Sequence, residues 1–241
     1  MPEASIGHFP DVGSSYFLSR LPGHFGEYLG LTGARIDGTE MLTCGLATHF
    51  VLSKDLQLLE NALCEVISSD NATISALINK FTHKAHLKQE TFFKRLEFIN
   101  KCFSKTTVEE ILLSLEKEMA NGADIWIVKA LNSMKSASPT SLKITLRSIR
   151  EGRKQDLRQC LIREYIISCH IMRRTVNNDF YEGARAMLLD KDKKPKWMPS
   201  ELDQVNEEMV NRVFTEVDDD EWVPMELPDR LNATNIAKSN L

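Results

Sequence analysis

Two acidic residues near the start of the chain, Glu3 and Asp11, are spaced so that they could act on one substrate together. They flank the turn-forming segment 6–10 and lie among glycines, which let a backbone approach a ligand closely. Carboxylates that converge on one reacting centre can serve as a general base and an orienting acid. The residue types therefore make this pair a candidate site, although Asp11 could equally cap a helix.

The segment after Asp11 adds a second chemical element. A helix that begins just after Gly13 would point its unpaired backbone N–H groups at an anion or at a developing oxyanion. Ser14 and Ser15 are small enough to stand at such a helix start. The sequence thus predicts an anion-binding helix N-terminus next to the two carboxylates.

The elements that must position these residues are mostly helical. Short apolar segments flanked by glycine or serine predict strands at 4–6 and 47–52. Elsewhere, apolar residues at 3.6-residue spacing and capping residues predict helices, with clear starts at Asp70, Thr107 and Ser138. The longest predicted helix, 154–173, is expected to bury an apolar face made of Leu157, Leu161, Tyr165, Ile166, Cys169 and Met172.

Composition excludes several classes of protein. The 241 residues are 42% hydrophobic, which is enough to build a buried core, and the net charge of -4 offers no global positive field for nucleic acid. No apolar run approaches the roughly 18 residues that a membrane span needs. The five cysteines are scattered without a CxxC pair, which predicts reduced thiols and no zinc site.

Several motifs resemble those of the 3-hydroxyisobutyryl-CoA hydrolases, a family of the enoyl-CoA hydratase (crotonase) superfamily. The resemblance begins with Pro-Glu-Ala-Ser-Ile-Gly at 2–7 and Phe-Pro-Asp-Val-Gly at 9–13, and it continues through Leu-Thr-Gly-Ala-Arg-Ile-Asp-Gly at 31–38. Downstream, Ser-Pro at 138–139, Asp-Phe at 179–180 and Pro-Lys-Trp at 195–197 look like the hydrolases' C-terminal part. The match runs in order along nearly the whole chain.

The resemblance implies an α/β protein with a truncated crotonase-type fold. Residues 1–52 would be the end of the crotonase core and 53–241 the helical C-terminal region, with the superfamily's β-rich part, its oxyanion-hole loops and most of the coenzyme A pocket lying before Met1. Glu3 stands where the superfamily has a catalytic glutamate, and Asp11 stands where the hydrolases have an aspartate. Both would be catalytic and substrate-binding residues in the hydrolysis of 3-hydroxyisobutyryl-CoA, a step of valine breakdown.

Further expectations follow from the same resemblance. It implies an acyl-CoA substrate, no metal or redox cofactor, and assembly into homo-oligomers, with neither nucleic acid nor membrane as a partner. Two alternatives stay open, namely an enoyl-CoA hydratase or isomerase, and an inactive family member that binds other proteins. The terminal tripeptide 239–241 is a variant of a peroxisomal signal and favours a peroxisomal location, with a mitochondrial one as the alternative.

One charged cluster allows two interpretations. Its basic residues fall within a single predicted helical stretch, which is typical of a solvated helix surface. A phosphate site is the alternative, because coenzyme A carries phosphates. The members of the cluster are Arg147, Arg150, Arg153, Lys154 and Arg158.

Overall fold

The computed structural model describes residues 1–83, 89–122 and 124–228, apart from the side chains of 89–94. The α-helices in this part of the chain are α1 (Ser14–Leu18), α2 (Phe25–Thr32), α3 (Gly38–Thr43), α4 (Leu56–Cys64), α5 (Asn71–Phe81), α6 (Gln89–Phe103), α7 (Val108–Ala120), α8 (Ile125–Ser136), α9 (Pro139–Gly152), α10 (Leu157–Met172), α11 (Asp179–Ala184) and α12 (Glu207–Arg212). Short 3-10 helices form at Glu3–Ile6, Ser53–Asp55 and Leu202–Gln204. A π-helical turn, Arg185–Leu189, follows α11.

The chain divides into two compact units. The first contains Met1–Arg35 and the chain from Arg95 onward, and the second is Ile36–Lys94. The regions predicted at 1–52 and 53–241 describe parts of a family rather than compact units, and that division stays a prediction. Both candidate carboxylates belong to the first unit.

Helix α9 organises the first unit. Ser138 caps it by accepting a hydrogen bond from the Ser141 N–H, and Pro139 occupies the first turn, as the sequence predicts. α9 packs against α1, α2, α7 and α12. Leu142 and Ile149 on α9 are each 1% exposed, so the helix lies in the core of the unit.

The two predicted strands are wrong. Residues 4–6 belong to the 3-10 helix Glu3–Ile6, because the Ser5 N–H and hydroxyl both bind the Pro2 carbonyl, and Gly7 ends the turn at φ 72°. Residues 47–52 form an irregular segment in which the Phe50 carbonyl accepts from the His83 N–H. No strand occurs within the described ranges, so the α/β prediction finds no support in their secondary structure.

The predicted buried face of the long helix is also wrong. α10 starts at Leu157, capped by Asp156, and its ends Leu157 and Met172 are 36% and 40% exposed. The face that points into the core is polar as well as apolar, because two of its charged residues bind other parts of the unit. It consists of Cys160, Arg163, Glu164, Ile167 and His170.

The second unit has little buried surface of its own. An Asp37–Glu40 capping box starts α3, and Asp70 caps α5 as predicted. Neither α4 nor α5 contains a buried residue, although the two helices contact each other. Among the helices described, none combines the length and the apolar character that crossing a bilayer requires. All five cysteines are free thiols, as the sequence predicts.

Candidate active site

Glu3 lies at the start of the first 3-10 turn, and its carboxylate is poised for a ligand. The residue is only partly buried, but its Oε2 atom is shielded from solvent and has no hydrogen-bond partner among the described residues. Buried carboxylate oxygens are almost always hydrogen-bonded in folded proteins. An unpartnered one on a fixed turn is therefore a place where a water or a substrate group can bind.

The turn that carries Glu3 is held by residues far along the chain. The Ser138 N–H donates to the Ala4 carbonyl at 3.1 Å, and the Ser138 hydroxyl donates to Asp179 Oδ2 at 2.6 Å. The Met198 N–H donates to the other oxygen, Asp179 Oδ1, at 2.9 Å. Burial raises the pKa of the Asp179 carboxyl, although these hydrogen bonds act to lower it. This arrangement leaves the Glu3 turn little freedom to move.

Close backbone packing adds a second restraint on the same turn. Gly7 lies so near the Asp179 carbonyl that a Cβ atom on it would come within 2.3 Å of that group. On α11, a Cβ on Gly183 would come within 2.2 Å of the Ile6 carbonyl oxygen. The 3-10 turn and α11 therefore meet backbone to backbone, at a separation that only glycine allows.

Asp11 lies on the loop that joins the 3-10 turn to α1. The loop is strained, since Val12 has φ 55°, a left-handed conformation that a β-branched residue rarely adopts. Asp11 does not cap α1, whose N-cap residue is Gly13. Its carboxylate is half-buried and stays available to a ligand on one side.

His8 connects the backbone of the Glu3 turn to the Asp11 carboxylate, and the sequence analysis did not predict it as a site residue. Its backbone N–H donates to the Glu3 carbonyl at 3.0 Å, and its ring Nε2 lies 3.4 Å from Asp11 Oδ2. The ring is buried between Phe9 and Phe180, and its Nδ1 has no hydrogen-bond partner. No hydrogen bond joins Glu3 to Asp11. Their relative position therefore depends on the loop between the 3-10 turn and α1.

The start of α1 does bind an anion, but the anion is part of the protein. Glu164 on α10 accepts from the Gly13 N–H at 2.6 Å, from the Ser15 N–H at 2.9 Å and from the Ser15 hydroxyl at 2.5 Å. Glu164 is 3% exposed, so a buried carboxylate fills the position predicted for an oxyanion. The predicted anion site is therefore corrected to an internal cap, and no sequence signal connects residues that lie 151 positions apart.

The space next to the Glu3 turn is small. A cavity of about 110 Å³ is lined by Pro2, Ala4 and Ser5 together with residues of α2 and α8. Neither Glu3 nor Asp11 lines it, and ligand pockets usually have at least about 300 Å³. This cavity is therefore not the place where the two carboxylates would meet a ligand.

A charge cluster at the end of α11 makes stability depend on pH. Arg185 donates two hydrogen bonds to the Glu182 carboxylate, the Lys196 N–H donates a third, and together they lower the pKa of Glu182 to about 2. The folded state therefore favours the ionised form, and this stabilisation is lost as the pH falls from about 5 towards 2.

We expect Glu182→Gln to flatten the pH dependence of the free energy of unfolding between about pH 5 and 3. Urea unfolding at a series of pH values measures it. Glu201→Gln is the control, because Glu201 is exposed and makes no side-chain cap hydrogen bond, and it should keep the wild-type slope. Equal slopes in all three proteins would contradict the prediction.

Comparison with known proteins gives the family. The sequence profile of the enoyl-CoA hydratase/isomerase family matches residues 1–214, and the chain belongs to this family. Over 90% of its length it resembles the crystal structure of a carnitinyl-CoA dehydratase from Mycobacterium thermoresistibile, with a TM-score of 0.77, 30% identity and 59% of that chain covered. The predicted crotonase-type fold is thus confirmed at the level of the family.

Curated relatives narrow the comparison. The chain is 52% identical to 3-hydroxyisobutyryl-CoA hydrolase 1 of Arabidopsis thaliana, over 99% of this chain and 63% of that protein. It is 42% identical to the human mitochondrial 3-hydroxyisobutyryl-CoA hydrolase, over 89% and 54% of the two chains. It is also 47% identical to the small ribosomal subunit protein mS47 of Arabidopsis thaliana, over 90% and 54%. The chain thus spans 54 to 63% of the length of these relatives.

Proposed function

We propose that the chain is the Glu3- and Asp11-bearing part of a 3-hydroxyisobutyryl-CoA hydrolase. The observation that carries the proposal is the buried, unpartnered Glu3 Oε2, held on a turn that residues of α9 and α11 fix in place. The Arabidopsis hydrolase, 52% identical to this chain, supports the choice of substrate. The reaction would belong to valine breakdown.

In the proposed reaction, the thioester is hydrolysed to 3-hydroxyisobutyrate and free coenzyme A. Glu3 either attacks the carbonyl carbon, which gives an anhydride that water then hydrolyses to the free acid and the restored carboxylate, or it removes a proton from an attacking water. In both cases the C–S bond breaks and the coenzyme A sulfur takes up a proton. Asp11, with His8 beside it, would hold the substrate hydroxyl or the water. This chemistry requires no metal or redox cofactor.

Stabilisation of the tetrahedral intermediate must come from elsewhere. The amides of Gly13 and Ser15 are already bound to Glu164 and cannot serve as oxyanion donors. Losing one such donor typically costs about a hundred- to a thousandfold in rate. We therefore place the oxyanion donors in the part of the relatives' length that this chain does not span.

The test is free-thiol release from 3-hydroxyisobutyryl-CoA, measured for the 241-residue chain and for a chain extended to the relatives' length. Glu3→Gln should lower the rate about 100-fold or more and Asp11→Asn should also lower it, while the exposed-residue control Glu201→Gln keeps the wild-type rate. Activity confined to the longer chain still supports the role of Glu3. Full activity of the Glu3→Gln protein, or no activity at either length, would contradict the proposal.

Two alternatives have separate outcomes in the same experiment. An enoyl-CoA hydratase would add water to an enoyl-CoA thioester without releasing thiol. A binding protein without activity is favoured by one observation, the 47% identity to a protein named as a ribosomal subunit. It would neither release thiol nor add water to an enoyl-CoA thioester, and sedimentation would show it in a stable complex with a larger partner.

Location and assembly are part of the proposal. A mitochondrial location is supported by the name of the human relative, whereas none of the names given above supports a peroxisomal one. The tripeptide 239–241, on which the peroxisomal prediction depends, lies outside the described residues. We propose a homo-oligomer, to be checked by sedimentation of the protein that hydrolyses the thioester.

A further inference from the structure

A cavity in the first unit lies apart from the two carboxylates. It has a volume of about 580 Å³ and lies between α9, the N-terminal turn of α7 and α12. Its apolar floor is made of Val108, Leu146 and Val210, which are 1%, 6% and 3% exposed. This volume and lining are in the range of small-molecule binding sites.

One wall of the cavity is basic. The side chains of Lys143, Arg147, Arg150 and Lys154 line it, and their spacing of four, three and four residues places them along one side of α9 and its end. Three carboxylates also line the cavity, namely Glu109, Glu151 and Glu207. Some of these charges are paired with one another, and the others remain available to a ligand.

Two of the ion pairs are closed within the protein. Lys143 Nζ lies 2.7 Å from Glu109 Oε1, and Arg147 Nε lies 2.7 Å from Glu151 Oε1. Arg147 is further held by Asn211, which accepts from its Nη1 at 2.6 Å. These four charged side chains therefore neutralise one another and shape the walls.

Two cations are not paired with a carboxylate of the cavity lining. Arg150 donates to the neutral carbonyls of Phe103, Lys105 and Thr106, and its Nε lies 3.9 Å from Glu27, a carboxylate that it shares with Arg153. Lys154 is exposed and has neither an ion pair nor a side-chain hydrogen bond in the described part of the chain. Against these two positive charges stands Glu207, so the cavity has an excess of one positive charge.

The structure thereby separates the basic cluster of the sequence into two groups. Arg153 binds Glu27 and the Gly23 carbonyl, and Arg158 binds the Leu227 carbonyl at 2.5 Å. These two arginines bind other parts of the protein, as expected for charged residues on a helix surface. Arg147, Arg150 and Lys154 instead line the cavity, together with Lys143.

We propose that this cavity binds a small phosphate monoester. The phosphate would lie between Lys154 and Arg150, and the organic group would rest on Val108, Leu146 and Val210. A phosphate monoester carries close to two negative charges near neutral pH and matches two cations better than a carboxylate does.

The test is a titration of the isotope-labelled 241-residue chain with phenyl phosphate, followed by NMR at about pH 7.5. Saturable shifts are expected for amides of 106–109, 143–154 and 207–210. Inorganic phosphate, which has no organic group to rest on the floor, should bind several-fold more weakly. Absence of saturable shifts, or shifts centred elsewhere, would overturn the proposal, and equal affinity for both probes would overturn the role of the apolar floor.

Two charge variants predict opposite effects. Lys154→Gln should weaken phenyl phosphate binding about tenfold, and Glu207→Gln should strengthen it about threefold. Lys129→Gln and Glu208→Gln are the matched controls, because Lys129 and Glu208 are exposed and do not line the cavity. Equal effects in a variant and its control would show non-specific charge attraction and overturn the proposal.

A third probe identifies the source of the phosphate. Adenosine 3′,5′-bisphosphate carries the phosphate ester found in coenzyme A, whereas phenyl phosphate represents a small monoester without a nucleoside. Tighter binding of the adenosine compound would assign the cavity to a nucleotide-type ligand, and tighter binding of phenyl phosphate would assign it to a smaller metabolite. All four substituted side chains are solvent-exposed, so thermal unfolding should be unchanged and any change in affinity can be attributed to the site.

Discussion

Replacing Glu164 by alanine is expected to lower the free energy of unfolding by about 4 kcal/mol, measured by urea denaturation. The carboxylate is buried and accepts three hydrogen bonds at the start of α1, from two backbone amides and one hydroxyl. Its loss leaves these donors without partners in a site that water does not reach, and such donors cost about 1–3 kcal/mol each. The effect is therefore among the largest that one substitution can have here.

Glu164→Gln provides the internal comparison. An amide keeps one acceptor oxygen but brings an NH2 group against the Gly13 or Ser15 N–H, so about half of the alanine effect is expected. Glu201→Ala, at an exposed position without a cap hydrogen bond, should change stability by less than about 0.5 kcal/mol. A Glu164→Ala protein as stable as the Glu201→Ala protein would show that the carboxylate does not hold α1.

Replacing Gly7 by alanine is expected to destabilise the protein by about 3 kcal/mol more than the same change at Gly122. Both glycines have positive φ, 72° and 85°, so both substitutions carry the cost of a left-handed alanine, about 1–2 kcal/mol. Only at Gly7 does the added Cβ meet another backbone, at 2.3 Å from Asp179. A Cβ on Gly122 meets no atom of the described residues within 4 Å.

Urea unfolding measures the free energy of unfolding of the two alanine variants. Both variants carry the cost of backbone strain, and only the Gly7 variant also carries the cost of close packing, so the difference between them isolates the packing term. If the two alanine variants lose the same stability, then α11 and the 3-10 turn do not meet as described. Because Gly7 ends the turn that carries Glu3, its variant should also lower the rate of the proposed thioester hydrolysis. The Gly122 variant should leave that rate unchanged.

Helix ends proved the most predictable part of the fold. The capping box at Thr107 and Glu110, the cap at Asp70 and the Ser138-Pro139 start of α9 are local patterns, and all three are present. Local capping hydrogen bonds join residues within one turn, so the sequence contains the whole interaction. Predictions of this kind need no knowledge of the tertiary structure.

The face of α10 could not be predicted for the opposite reason. Apolar spacing favoured a stripe through Leu161 and Tyr165. This stripe is only half-buried, under the segment after α12, where the Val223 carbonyl accepts from the Tyr165 hydroxyl. Glu164 is buried because it binds the start of α1. A charged residue in a core is intelligible only once its distant partner is known.

The candidate site shows the same limit. Glu3 and Asp11 were found by their residue types and by resemblance to a family, and their catalytic roles stay predictions. The Glu3 turn is held by Ser138 and Asp179. Both residues appeared in family motifs, but nothing in the sequence indicated their contacts with this turn. Tertiary hydrogen bonds of this type leave no periodic pattern.

The long separation between Gly13 and Glu164 also affects how the protein is made. Translation proceeds at roughly 5–20 residues per second, so the 151 residues between them take on the order of 10–30 s to synthesise. Throughout this interval the start of α1 lacks its carboxylate and the Glu3 turn lacks Asp179, and for most of it the turn also lacks Ser138. The segment with the candidate catalytic residues is thus translated before α9, α10 and α11 and lacks its contacts with them until they follow.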